Sequence, residues 1–450
     1  MAPPPPSKKA KAASAFEECA DWIRSEGGHV GPVSISSGAL VATSPIANSS
    51  RLLSVPLSCC ISSSAVSSQI HSLVSFAPSF ADPADTVLAT FLCLDRSNAA
   101  SPFAPYYALL PPLGGYADLP RCWPDADLDL LLGGTSLPAL ARAERAGVGA
   151  DHALLSASLS AASLPPIPLP LFSWAHAVVS SRSFCFGASD EAFLVPLLCA
   201  ANHRRPRGAS YAVDDAKGAV EFSALREYPE GGEVWNSYGA KPGSYLLLKY
   251  GFALDPGDNT EPDGSCNDTV DVGVGGREVR LRVGGKAYAC SVLSEGLGAC
   301  SEGGGGGGGE VAGFDDFEEE EEEEGEGEFD WGEGDEEDEE GDDEEEEGGG
   351  GGREQISAAA TKFAALLQAK LDSYVGPPPP PLSSRAAAAA LVVRSEMRAC
   401  EFYRRIAESL TGRLGEGAGG GGGDAGLLEG GDERMIEETV DAFLKMKSLQ

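Results

Sequence analysis

Apolar positions along this chain change their period several times, and each change marks a different kind of element. Phe16 to Gly28 has helical spacing and stops at Gly27-Gly28. VGPVSIS, ALVATSPI and RLLSVP follow, with Gly, Ser and Pro between them, and predict short strands in an irregular β-structure rather than a parallel sheet. From Asp85 the period becomes helical, with Val87, Leu88, Phe91, Leu92 and Leu94 on one buried face, and helical sequence continues through His152. Phe172, Trp174, Val178 and Val179 give a further helix its apolar face. Phe193 to Phe252 breaks the pattern: an apolar run ends in Asn202-His203, a Gly231-Gly232-Glu233 turn follows, and two Tyr-Gly pairs close the stretch. No plain amphipathic helix or strand accounts for it.

Past Asp255, REVRLRVGG and KAYACSVL predict two more short strands. Helical spacing returns at Ile356, Ala360, Phe363, Leu367, Leu371 and Tyr374, then from about Arg385 to Leu414, and again from Asp432 to Leu449. The expected fold class is α+β. A β-rich unit over 16–255 is split by a helical insert at about 70–165, and a mostly helical domain covers 256–450. Residues 1–15 are expected to form a disordered tail, with Lys8, Lys9 and Lys11 as solvated charges or a weak import signal.

Composition sharpens this division. The chain has 450 residues, enough for two or three domains each with its own core. Its net charge of −36 is concentrated: between Ser301 and Gly352 lie 27 of the 69 acidic residues and none of the 33 basic ones. That segment is expected to be a disordered insertion, because it cannot bury enough apolar surface to offset its ordering entropy. Phe314, Phe317, Phe329 and Trp331 within it could dock a basic partner, and the plainer alternative is a solvating insertion. The mildly acidic remainder offers no basic face for nucleic acid. The 11 cysteines include no CxxC, which points to free thiols in a reducing compartment and to no metal centre. No run is long and apolar enough for a membrane span, and MAPPPPSKKAKAAS resembles neither a signal nor a transit peptide, so a cytoplasmic or nuclear location is expected.

The irregular stretch carries the chemistry. Val195-Pro196-Leu197 precedes Asn202-His203, then come Gly231-Gly232-Glu233-Val234, Tyr238-Gly239 and Lys241 through Tyr250-Gly251-Phe252. In this order the chain resembles SET-domain protein methyltransferases of the Rubisco large-subunit methyltransferase-like group. Their pattern runs V-P-L-x-D-x-x-N-H, G-E-E-V/I and Y-G-x-K-S-N-x-E-L-L-L-x-Y-G-F. Upstream, Ser37-Gly38-Ala39-Leu40 resembles the family's G-x-G-L. Phe103, Pro105, Tyr106, Leu109 and Pro111, then Leu132, Gly134 and Thr135, resemble two stretches of its helical insert, and Phe172 to Phe184 resembles the helix ending in S-R-x-F. Departures include Cys199 for the family's acid, Gly232 for the first Glu of G-E-E, and Pro242-Gly243-Ser244-Tyr245 for S-N-x-E.

The resemblance implies a SET fold with a helical substrate-binding domain and S-adenosylmethionine as cofactor. The implied active-site tyrosine is Tyr238. Gly38, Arg182, Asn202, His203, Tyr250, Gly251 and Phe252 are implied at the methyl donor, with Arg182 facing its carboxylate. Tyr211 and Tyr250 are implied as walls of the acceptor channel. It further implies a monomer acting on a protein substrate, with lysine the acceptor in most of the family. Histidine methylation and a non-catalytic, SET-derived interaction protein remain open alternatives.

Overall fold

The computed structural model describes residues 8–75, 83–186, 191–261, 265–301, 349–374, 383–415, 427–428 and 431–447. The acidic stretch 302–348 and residues 1–7 lie outside these. The chain divides into two units: residues 1–269 with 373–396, and residues 270–372 with 397–450.

In the first unit, α1 (Lys8–Ser25) starts eight residues before the expected Phe16, so the tail expected over 1–15 gives way to helix from Lys8. The Lys- and Ala-rich run ahead of Phe16 has high helix propensity, which apolar periodicity does not register. Phe16, Cys19, Ala20 and Ile23 are buried along one stripe of α1. They face strands β1 (His29–Val30), β2 (Val33–Ser36), β3 (Ala39–Ala42) and β4 (Arg51–Pro56). Burying Phe16 or Ile23 is worth about 1.5–3 kcal/mol each. Strand β5 (Ile61–Ser62) follows, and then the helical insert: α2 (Ser68–Ser75), α3 (Pro83–Asp95), α4 (Ala104–Tyr107), α5 (Asp125–Leu132) and α6 (Leu137–Ala161). The insert shares a core with α7 (Leu169–Arg182), built on Leu88, Leu92, Tyr106, Leu155, Phe172 and Val178.

Strands β6 (Ser183–Cys185), β7 (Ala192–Leu194), β8 (Ala209–Asp214) and β9 (Ala219–Ala224), then α8 (Gly243–Tyr250), follow in this unit. These strands pair antiparallel: β1-β4-β9-β8 form one sheet, β5-β7-β6 a second, and β2-β3 a hairpin. Strands β4 and β9 meet across the whole insert, with Val55 opposite Val220. Gly134 shows why the insert's L-x-G-T stretch needs glycine. Its φ is +90°, and a Cβ there would sit 2.6 Å from the Ser373 carbonyl oxygen.

A half-buried polar cluster joins the insert to α8. Arg121 lies 3.3 Å from His176 Nδ1 and 3.9 Å from Glu144, which pairs with Lys249 at 2.6 Å. Burial, with Arg121 and Lys249 nearby, pushes His176 down to about 3, so it stays neutral.

The second unit holds the hairpin β10 (Thr269–Val274) and β11 (Arg277–Arg282), α9 (Lys286–Ser301), α10 (Gly349–Ser373), the later part of α11 (Ser384–Leu414) and α12 (Asp432–Met446). KAYACSVL, expected as a strand, is the start of α9. Its helical period becomes visible only over sixteen residues, where Ala289, Val292, Leu293, Leu297 and Cys300 are buried together. Gly296 accepts the Phe363 ring so closely that a Cβ would lie 2.7 Å from it. Among the described residues no helix is long and apolar enough to cross a membrane.

Candidate active site

The site begins with a strained turn. Leu197, fully buried, has φ 63° and ψ −41°, and Leu198 N–H donates to the Pro196 carbonyl at 2.8 Å, the geometry of a tight three-residue turn that non-glycine residues rarely adopt. This turn sends the chain through Cys199 and Ala201 into Asn202-His203. There the backbone runs parallel to a second segment: Asn236 N–H donates to the Asn202 carbonyl at 2.8 Å, and Arg204 N–H to the Asn236 carbonyl at 3.0 Å. The second segment is tied in turn to β3, since Val234 N–H reaches the Leu40 carbonyl and Ala42 N–H the Gly232 carbonyl. Three distant stretches therefore cross at one place.

Tyr238 stands at that crossing. Its hydroxyl donates to the Ala201 carbonyl at 3.2 Å, and its own N–H donates to His203 Nδ1 at 2.9 Å. The His203 ring stacks on the Tyr238 ring with centroids 5.1 Å apart. Tyr250 approaches to 4.7 Å, and Phe252 lies 6.4 Å from both Tyr238 and His203. Burial pushes the Tyr238 phenol up to about 12, so it is un-ionised near neutral pH. Because Nδ1 of His203 accepts a hydrogen bond, a neutral ring carries its proton on Nε2. That atom is buried with no partner among the described residues, as is Asn236 Nδ2.

Arg182, at the end of α7, donates from Nη1 to the Cys199 carbonyl at 2.8 Å and from Nε to the Tyr116 hydroxyl at 3.1 Å. Among the described residues its Nη2 donates no hydrogen bond.

The expected residues fall into groups. Tyr238, His203, Tyr250 and Phe252 form one aromatic cluster, and Asn202 and Arg182 reach it through the crossing. The Asn202 side chain is exposed and donates to Glu233 at 2.8 Å. Gly251, at φ 82°, caps α8 and lies against Asp118, where a Cβ would be 3.2 Å from backbone. Tyr211 packs with Phe184 and Phe186, at 5.3 and 5.7 Å. Gly38 forms the tip of the β2-β3 hairpin, its φ of 88° following 54° at Ser37. Both central residues of this two-residue turn are thus left-handed, which favours glycine. No hydrogen bond or ring contact among the described residues joins Gly38 to the Tyr238 cluster.

Sequence reasoning missed Tyr116, Ala201 and Asn236, whose contributions arise only from tertiary neighbours. It also missed the anchor under α8. Buried Asp268 accepts from Gly243 N–H at 2.6 Å, from Asn259 Nδ2 at 2.9 Å and from the Ser395 hydroxyl. Gly243 suits this contact because a Cβ there would come 3.0 Å from the carboxylate.

No family model matches the chain. It is similar to the N-lysine methyltransferase SETD6 of Bos taurus, at 27% identity over 186 residues, 38% of this chain and 39% of that protein. It is similar also to the human SETD6, at 28% over 186 residues, 38% of this chain and 37% of that one. The matched part thus spans well under half the length of these curated relatives. Among solved structures, the SET domain of LSMT bound to lysine and AdoHcy superposes with a TM-score of 0.60 at 18% identity, covering 91% of this chain and 93% of the other. Rubisco LSMT bound to AdoMet gives 0.57 at 17%, over 89% and 93%. The fold is therefore the SET fold of the LSMT type, as the motifs led one to expect.

Proposed function

We propose that this chain, built on the LSMT-type SET fold, is a protein-lysine N-methyltransferase that uses S-adenosylmethionine. The observation that carries the reading is Tyr238. Its neutral hydroxyl is aimed by the Ala201 carbonyl, its ring is stacked on His203 and flanked by Tyr250 and Phe252, and Arg182 Nη2 remains unspent nearby. The names of the relatives support it: the curated ones are N-lysine methyltransferases, and the solved neighbours bind AdoMet, AdoHcy and lysine.

The residues fit such a donor. Arg182 Nη2 suits its carboxylate, and Asn202, His203 and the 201–204 backbone suit its amino-acid end, with Gly38, Gly251 and Phe252 assigned to its surroundings by motif. When bound, the donor supplies an electrophilic sulfonium methyl. The protein must hold a lysine amine in line with that methyl and in its neutral form. An ordinary lysine titrates near 10.4, so the attacking form is scarce at neutral pH until the ring-lined channel desolvates the ammonium and its proton passes to solvent. Tyr238, fixed by one donated bond, keeps oxygen lone pairs for the amine, and Tyr211 and Tyr250 complete the channel walls. In the transfer, the sulfur–methyl bond breaks as the nitrogen–methyl bond forms, leaving a thioether.

We read the chain as a monomer acting on a protein substrate in the cytoplasm or nucleus, with a basic partner for the acidic stretch 301–352. The test is Tyr238→Phe, which removes only the hydroxyl. Radiolabelled donor is incubated with wild-type protein and a protein extract to find the labelled acceptor. The variant should label that acceptor about 10²-fold to 10³-fold more slowly with donor affinity unchanged. Equal rates would remove Tyr238 from the reaction, and labelled histidine in the digested product would replace lysine as acceptor.

A further inference from the structure

We infer that Tyr116, from the helical insert, is a second ligand of the donor's carboxylate beside Arg182. The inference rests on the donor reading above and follows from how the guanidinium is used. Arg182 spends Nε on the Tyr116 oxygen and Nη1 on the Cys199 carbonyl. The Nε–H and the facing Nη2–H of a guanidinium run parallel, which is why the group binds carboxylates in a two-pronged fork. Here Tyr116 occupies one prong. An acceptor taken up by the other prong must lie alongside the Tyr116 oxygen, within hydrogen-bond reach of it. The Tyr116 hydroxyl already receives a hydrogen bond from Arg182, and its own proton has no acceptor among the described residues. A carboxylate oxygen on Nη2 would supply that acceptor, closing a ring in which Arg182 donates to both oxygens and Tyr116 donates to the carboxylate.

Tyr116 is placed for this by its surroundings. It follows the Pro111-Pro112-Leu113-Gly114-Gly115 turn, in which Gly114 has φ 83°, and its ring is half-buried against the insert's core. Its hydroxyl meets the Arg182 guanidinium at the end of α7, so it lies on the side of the insert that faces the site. Donor selection would then be shared between the SET strands and the insert.

The test is calorimetry on the full-length chain, comparing wild type with Tyr116→Phe against two probes. One is S-adenosylhomocysteine, which has the carboxylate, and the other is 5′-methylthioadenosine, which lacks the whole amino-acid end. The variant should bind S-adenosylhomocysteine about tenfold more weakly, as for loss of one hydrogen bond to a charged group, and bind 5′-methylthioadenosine within about twofold of wild type. Its melting temperature should be unchanged. Equal affinity of both proteins for S-adenosylhomocysteine would overturn the inference, and so would a parallel loss for both probes. Failure of wild type to bind S-adenosylhomocysteine would instead overturn the donor reading itself.

Discussion

His203 shows how much a single side chain does at this site. Its ring supports Tyr238 from one face and its Nδ1 accepts the Tyr238 N–H, and the second role needs a neutral imidazole. Burial is the main cause that lowers it, with Arg205 adding to the effect and Glu261 opposing it, to about 4 from 6.5. The unfolded chain therefore binds a proton below pH 6.5 that the folded chain refuses until about pH 4. Stability is fully present above 6.5 and is lost as the pH falls through this window, by up to about 1.4 kcal/mol per pH unit for each such group. His176 acts in the same direction. Melting temperature should fall between pH 6.5 and 4, and His203→Asn, which keeps an acceptor near the Nδ1 position, should show a shallower fall. An unchanged slope would count against a neutral, buried His203. At this scale the sequence was informative where chemistry is written into neighbouring residues, as in Asn202-His203 and Tyr238-Gly239. It was silent on Tyr116, Ala201 and Asn236, because a carbonyl or hydroxyl that becomes a partner only through a crossing of distant segments has no local signature.

Among elements, those set by strong periodicity could be read in advance: β2, β3, β4, α3, α7 and α11 lie close to where the apolar pattern puts them. The misreadings have a common cause. KAYACSVL is eight residues of mixed small and apolar side chains, too short to separate a strand from the first turns of a buried helix. The run ahead of Phe16 is helical by propensity without an apolar stripe. The insert's Gly134 was legible as a motif, but its reason was not, since the backbone it touches at Ser373 lies more than two hundred residues away. Gly134→Ala should destabilise the protein by about 2 kcal/mol or more, combining a positive φ with a backbone clash. Calorimetric unfolding would measure this, and a loss within a few tenths of a kcal/mol would mean that the Ser373–Tyr374 backbone yields easily.

For the molecule as a whole, the charge distribution and the packing support one deletion. In the second unit, Lys362 of α10 donates to the Cys300 carbonyl at the end of α9 at 2.9 Å, and Phe363 packs on Gly296. These helices are thus joined by side-chain packing as well as by chain. From Gly349 to Lys362 is about 20 Å of helix, which roughly ten flexible residues can span. Replacing 302–348 with such a linker should leave melting temperature and donor affinity nearly unchanged while removing most of the net charge. A large loss of either would show that the acidic stretch belongs to the fold.

The pairing of β4 with β9 also bears on the order in which the protein is made. Arg51–Pro56 leaves the ribosome long before Ala219–Ala224, and the 201–204 crossing needs 234–238 beside it. Contacts of such long sequence separation close slowly and late. The insert, whose helices neighbour one another in sequence, can gather its core while β4 still waits. The Tyr238 site is therefore a product of the finished topology: a chain interrupted before Val234 holds most of the first unit's residues and lacks the segment that carries Tyr238.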